Sequence, residues 1–119
     1  MMLPPINFKK WINENRDLLK PPVCNKVVYE DIEFIIMVVG GPNTRKDYHV
    51  DEGEEFFYQL EGNMTLRIME NNKPRDININ EGEIFLLSAK IPHSPQRFKN
   101  TIGLVVERKR TQRELDGFQ

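Results

Sequence analysis

The sequence contains a single cysteine, Cys24, so it cannot form a disulfide within the chain. It has no apolar run long enough to span a bilayer, and its N-terminal stretch MMLPPINFKKW lacks the apolar core of a secretory signal. The formal net charge of −1 offers no strongly basic surface for nucleic acid or an anionic membrane. These absences favour a cytoplasmic protein whose partners are neither nucleic acids nor membranes, because lone cysteines are typical of reducing compartments.

The length of 119 residues predicts one domain, 1–119, with a substantial core. Asn7 is suited to cap a helix over residues 7–20, and Pro21 with Pro22 would end it. The rest of the chain is typical of short strands between turns rich in Gly, Pro and Asn. The predicted strands span 26–31, 33–39, 55–60, 64–70, 75–79, 83–88 and 102–108. This pattern predicts a mainly β fold, an antiparallel sandwich or barrel with one N-terminal helix.

The two histidines of the chain lie in two short segments that could supply metal ligands. His49 precedes the turn Asp51-Glu52-Gly53, after which period-2 alternation puts Glu55, Phe57 and Gln59 on one face of a strand. His93 is predicted to lie in a proline-bracketed turn that follows an apolar run. Two imidazoles and one carboxylate form a facial triad suited to Fe(II), with positions open for substrate and O2. The alternative is a pair of ordinary surface or core histidines beside a solvated carboxylate.

These segments resemble the two motifs of the cupins. His49, Glu55 and Gly62 match the first motif, although Asp51 replaces its usual second histidine. Gly82 and His93 match the second motif, in which Arg97 stands where an asparagine is usual. The resemblance implies a double-stranded β-helix, the jelly-roll barrel of that superfamily.

A closer resemblance is to the 3-hydroxyanthranilate 3,4-dioxygenase family. The segments that carry it are GGPNTRKDYH, EEFFYQLEG, GEIFLL, PHSPQRF and GLVVER, and the likeness runs from about Trp11 to Gly117. That family opens the ring of 3-hydroxyanthranilate with O2 at a non-haem Fe(II). The product, 2-amino-3-carboxymuconate semialdehyde, cyclises to quinolinate on the route from tryptophan through kynurenine to NAD.

The resemblance also implies roles for individual residues. His49, Glu55 and His93 would hold the iron, and Asp51 would not be a ligand. The residues expected to contact the substrate are Arg45, Arg97, Glu107, Asn25 and Glu55, with Arg45 and Glu107 taking part in catalysis.

The chemistry of the substrate explains why such residue types are needed. A planar guanidinium such as that of Arg97 can hold a carboxylate through two parallel hydrogen bonds. Glu107 follows the apolar run 104–106, so period 2 can aim it inward to accept the hydroxyl proton of the substrate. Arg45 would stabilise charge as O2 is reduced. For each arginine the alternative is an ordinary solvated surface residue.

The resemblance covers the catalytic cupin portion of the family, and we expect the chain to lack the family's C-terminal segment. With one cysteine, the chain cannot form the second metal site that compact members build from CxxC pairs. A homodimer would cover a sheet face that this segment normally covers. Two alternatives to the dioxygenase stay open: a small cupin that binds a metal or a carboxylate-bearing ligand without turnover, and an inactive fragment of the enzyme.

Overall fold

The structure is a computed structural model that describes residues 2–30 and 32–109. It contains one α-helix, α1 (Phe8–Glu14), a 3-10 helix (Arg16–Leu18) and nine strands. The strands are β1 (Asn25–Val27), β2 (Phe34–Gly40), β3 (Asn43–Thr44), β4 (Glu55–Glu61), β5 (Met64–Glu70), β6 (Lys73–Ile79), β7 (Ile84–Leu87), β8 (His93–Arg97) and β9 (Ile102–Arg108). Among the described residues, no helix is both long and apolar enough to cross a membrane.

The strands form two antiparallel sheets. One has the order β1-β2-β9-β4-β7, and the other has the order β3-β8-β5-β6. The prediction of a mainly β fold with one N-terminal helix is therefore confirmed. The strands predicted at 64–70 and 102–108 have the bounds of β5 and β9.

The core lies between the two sheets and follows from the alternation of apolar residues along the strands. Phe57 of β4 and Val105 of β9 point inward and pack with Leu66 of β5 and Ile79 of β6. On β4 the buried positions are Glu55, Phe57 and Gln59, as the period-2 pattern predicted. The inner face of β4 therefore carries two polar side chains into the space between the sheets.

Helix α1 packs on the outer face of the five-stranded sheet. Ile12 and Leu19 are buried there against Val38 and Ile102. Asn7 caps the helix, since its side chain accepts a hydrogen bond from the Lys10 amide, as predicted. The predicted extent of 7–20 is wrong, because the α-helix stops at Glu14 and only a 3-10 turn follows. The side chain of Asn15 donates to the Trp11 carbonyl at 2.7 Å and competes with a further helical turn.

Two strands were not predicted, and one of them changes the setting of His93. His93 begins β8 rather than lying in a turn. The prediction failed because prolines flank this histidine, and proline usually breaks a sheet ladder. β8 tolerates Pro95 because β3 is so short that it pairs only with Gln96 and Arg97. The predicted strand 26–31 is also shortened to β1, with residue 31 outside the described residues.

Candidate active site

One cavity of about 240 Å³ opens between the two sheets and is lined by every residue predicted from the sequence to bind metal or substrate. Glu55 comes from β4, Glu107 from β9, and His93 and Arg97 from the two ends of β8. The remaining predicted residues at the wall are Asn25, Arg45 and His49. Side chains from distant parts of the sequence therefore meet in one place.

His93 and Glu55 form the buried centre of this cavity. The Nε2 atom of His93 lies 2.9 Å from Oε2 of Glu55. On the other side of the ring, Nδ1 of His93 lies 3.0 Å from the carbonyl oxygen of Ile91. A carbonyl only accepts, so Nδ1 carries the proton and the lone pair of neutral His93 is on Nε2, facing Glu55.

Two buried polar atoms of the predicted triad lack a hydrogen bond within the described residues when His93 is neutral. They are Nε2 of His49, which has no hydrogen-bond partner among the described residues, and Oε2 of Glu55, which faces the lone pair of His93 rather than a proton when His93 is neutral. A buried polar atom without a partner is costly, and a cation is a partner that would satisfy such an atom. The donor set of two imidazoles and a carboxylate fits a divalent transition metal. The spacing of 2.9 Å between His93 and Glu55 also fits, since neighbouring ligands at about 2.1 Å from one ion lie about 3 Å apart.

Asp51 is close enough to these groups to be considered as a ligand. One ligand atom each of Asp51, Glu55 and His93 lie within 4.8 Å of one another. The Asp51 carboxylate is 3.8 Å from Nε2 of His93. His49 does not belong to this tightest group, so the geometry offers Asp51 as a competitor to His49 for the third position.

Glu107 lies beside Glu55 on the adjacent strand of the same sheet, because the two residues are register partners on β9 and β4. Burial and the hydrogen bond with Glu55 raise the pKa of Glu107 to about 8. Burial would also raise the pKa of Glu55, but hydrogen bonds from His93 and Glu107 outweigh it and lower this pKa. The two carboxyl groups therefore share one proton, which resides on Glu107 at neutral pH.

Arg97 places a positive charge deep in the wall of the cavity, where only 3% of the residue is exposed. Burial lowers the pKa of Arg97 to about 10, which leaves the guanidinium charged at neutral pH. Within residues 2–30 and 32–109, it forms one side-chain hydrogen bond, from Nη1 to Oε1 of Gln59 at 3.1 Å, and no ion pair. A buried guanidinium that forms no direct ion pair is a strong binding group for a ligand carboxylate.

Arg45 and Asn25 lie at the more open part of the wall. The Nε atom of Arg45 is 3.5 Å from a carboxylate oxygen of Asp47, and the side chain is 38% exposed. Its backbone is held firmly, since the side chains of Ser94 and Gln96 both donate to its carbonyl oxygen. Asn25 is exposed and donates to the Val23 carbonyl.

Two residues next to Arg97 were not assigned a function from the sequence. Gln59 is buried and accepts the hydrogen bond of Arg97, and Gly103 lies against both. The period-2 pattern did put Gln59 on the same face as Glu55, and that shared face is the signal that could have revealed it. The proximity of Gly103 depends on how β9 pairs with β4, which no local pattern gives.

Known proteins of similar sequence match nearly the whole of this chain. A human protein named 3-hydroxyanthranilate 3,4-dioxygenase is 58% identical over 114 residues, covering 96% of this chain and 40% of its own length. A relative of the same name from Xanthomonas euvesicatoria is 59% identical over 119 residues, covering 100% of this chain and 67% of its own. The chain thus spans about 40% of the animal relative and about two thirds of the bacterial one.

A solved structure shows the fold independently. A cupin-2 domain protein from Shewanella frigidimarina superimposes with a TM-score of 0.68 and 18% identity, over 87% of this chain and 94% of that one. This likeness confirms the predicted cupin fold. The model of the family described as 3-hydroxyanthranilic acid dioxygenase matches residues 1–119. With that match over the whole chain and relatives close to 60% identical, the chain belongs to the 3-hydroxyanthranilic acid dioxygenase family.

Proposed function

We propose that this chain carries the site for ring-opening dioxygenation of 3-hydroxyanthranilate to 2-amino-3-carboxymuconate semialdehyde, in a protein located in the cytoplasm. In this reaction the bond between the hydroxyl-bearing carbon and its ring neighbour breaks, and both atoms of O2 enter the product. The observation that carries the proposal is the single cavity that joins two histidines and Glu55 to the buried cation of Arg97. The names of the relatives support the same activity.

His49, Glu55 and His93 would hold Fe(II) in this proposal. Among the described residues, Nε2 of His49 has no hydrogen bond, and Oε2 of Glu55 has none when His93 is neutral, which supports these ligands. The hydrogen bond from Nδ1 of His93 to the Ile91 carbonyl supports them as well, because it fixes the ring with its lone pair toward Glu55. When bound, the metal would supply the redox-active centre at which the aminophenol and O2 meet.

Arg97 would bind the carboxylate of the substrate. A guanidinium has five N–H donors, and among the described side chains Gln59 occupies one of them. The remaining donors can form the two parallel hydrogen bonds that a carboxylate accepts. The burial of Arg97 strengthens this interaction because little water competes for the charge.

Glu107 would move the proton of the substrate hydroxyl. Its carboxyl group lines the cavity from the strand beside Glu55, so a ring that approaches Glu55 also approaches Glu107. Arg45, at the open side of the same cavity, would stabilise negative charge as O2 is reduced, and Asn25 would line the pocket. A protonated Glu107 can donate a hydrogen bond and a deprotonated one can accept, which suits a group that carries a proton through the reaction.

The test is anaerobic loading of the chain with Fe(II), followed by addition of 3-hydroxyanthranilate and then O2. Growth of the near-ultraviolet absorbance of the semialdehyde, with equal consumption of O2, is the expected result. If iron and substrate bind but no product forms, the proposal is overturned in favour of a binding protein. If the chain neither binds iron nor forms product, it is an inactive scaffold. The metal-free chain is the control. A homodimer remains a prediction, which sedimentation velocity on the same sample would check.

A further inference from the structure

Gln59 holds the guanidinium of Arg97 from a fully buried position, with 1% of the residue exposed. Its Nε2 donates to the Gly62 carbonyl at 3.0 Å, and its Oε1 accepts from Nη1 of Arg97 at 3.1 Å. Because the Gly62 carbonyl only accepts, the amide nitrogen must face it, and the amide oxygen must then face Arg97. The orientation of the amide is therefore fixed by the backbone.

The backbone around Gly62 is shaped to make this contact. The pairing of β4 with β9 shifts register between Gln59 and Glu61, as in a β-bulge. Gly62 follows with a φ of +72°, a conformation that other residues rarely adopt. Its amide is held by the carboxylate of Glu81 at 2.8 Å. These features turn the Gly62 carbonyl back toward the side chain of Gln59.

Gly103 provides the space in which Gln59 and Arg97 meet. It is the register partner of Gln59 on β9. A Cβ atom at this position would lie 2.1 Å from Oε1 of Gln59 and 2.6 Å from Nη1 of Arg97. Both atoms are the ends of flexible side chains, so an alanine would displace the pair while the strands stay in place.

We propose that Gln59, with Gly103 beside it, is the positioning residue for Arg97 and sets the preference of the site for a carboxylate-bearing ring. This inference rests on the proposed function, in which Arg97 binds the substrate carboxylate. A neutral amide suits the task because it orients the guanidinium without cancelling its charge. A carboxylate at position 59 would form an ion pair with Arg97 and compete with the ligand.

The first experiment measures anaerobic binding to the Fe(II)-loaded chain, where no turnover occurs. The probes are 3-hydroxyanthranilate and 2-aminophenol, which keeps the amine and the hydroxyl but lacks the carboxylate. Gln59→Met and Gly103→Ala should each weaken the binding of 3-hydroxyanthranilate by about 10-fold, the loss expected for one hydrogen bond to a charged group. The affinity for 2-aminophenol should be unchanged. In an Arg97→Ala background, Gln59→Met should cause no further loss of affinity for 3-hydroxyanthranilate.

Thr101→Val is the matched control, because it removes another buried side-chain hydrogen bond, to the Phe98 carbonyl. It should lower thermal stability without changing the preference between the two probes. The inference would be overturned if Gln59→Met weakened the binding of both probes equally or left it unchanged. It would also be overturned if the effects of Gln59→Met and Arg97→Ala on 3-hydroxyanthranilate affinity were fully additive.

A second readout needs neither metal nor ligand. In ¹⁵N NMR spectra of the ligand-free chain, the guanidinium protons of Arg97 should exchange slowly in the wild type and in Thr101→Val. They should exchange rapidly in Gln59→Met and Gly103→Ala. A wild type that shows slow exchange yet neither binds nor opens 3-hydroxyanthranilate would overturn the proposed function and leave the positioning of Arg97 by Gln59 intact. Fast exchange in the wild type would overturn the positioning itself.

Discussion

His49 and His93 exchange both backbone hydrogen bonds, from each amide to the other's carbonyl, at 2.8 and 2.9 Å. This isolated bridge joins the segment before β4 to the first residue of β8, and the two imidazole rings lie with their centroids 6.2 Å apart. The backbone pairing therefore brings both histidines to one end of the cavity without using either side chain. The side chains stay available for a ligand.

Removal of His93 should abolish metal binding. In His93→Ala, the Glu55 carboxylate loses its neighbour at 2.9 Å, and the metal loses a ligand that the Ile91 carbonyl orients. We expect the Fe(II) content after anaerobic loading and desalting to fall from one per chain to background, with activity lost in parallel. Elemental analysis measures the metal. Full iron content in His93→Ala would refute this assignment.

The third ligand can be decided by comparing His49→Ala with Asp51→Ala. If His49 is the ligand, His49→Ala should weaken metal binding by at least about 10-fold, and Asp51→Ala should weaken it much less. Calorimetric titration with Co²⁺ or Mn²⁺ under anaerobic conditions gives the affinities. The reverse order would show that Asp51, which groups with Glu55 and His93 within 4.8 Å, takes the third position.

Arg97→Ala should raise KM for 3-hydroxyanthranilate by about 10- to 100-fold, because the carboxylate loses its charged hydrogen-bond partner. Arg97→Lys keeps the charge but loses the planar fork, so its KM should fall between those of Arg97→Ala and the wild type. Steady-state rates at saturating O2 provide the values. Arg108→Ala is a control, since it removes an exposed arginine at the end of β9 that does not line the cavity. An unchanged KM in Arg97→Ala would remove Arg97 from substrate binding.

Much of the fold could be predicted from the sequence because local patterns specify strands strongly. Alternation put Glu55, Phe57 and Gln59 on one face, and all three are buried. Turn residues at Asn71 and Asn72, which have positive φ, end β5 where the sequence predicted. The prediction of a turn at His93 was wrong, because the prolines around it are unusual in a strand and this strand is held by pairing with β5.

The site itself could be predicted only in part. The residue types and the resemblance identified the groups that line the cavity, yet nothing local shows that Glu107 opposes Glu55 or that Gln59 reaches Arg97. Those contacts depend on strand order and register, which are properties of the whole sheet. The same holds for Asp51, whose distance to His93 follows from the path of the loop before β4.

The stability of the metal-free chain should depend on pH through Glu107. Burial and Glu55 raise the pKa of this carboxyl group from 4.5 to about 8, so the folded state keeps a proton that the unfolded state has already lost. The contribution of Glu107 to stability is therefore complete below about pH 4.5 and is lost as the pH rises to about 8.

Glu107→Gln removes this dependence, because its amide stays neutral and still donates to Glu55. In the presence of a chelator, the Tm of Glu107→Gln should exceed that of the wild type by a margin that widens from pH 5 to pH 9. Burial lowers the pKa of His93, but the hydrogen bond with Glu55 outweighs this effect and the net pKa is raised. Because His93 titrates in both chains, it does not create this margin. Glu54→Gln, at an exposed carboxylate outside the cavity wall, should show no such trend. A margin that stays constant or narrows with rising pH would mean that Glu107 does not hold the shared proton.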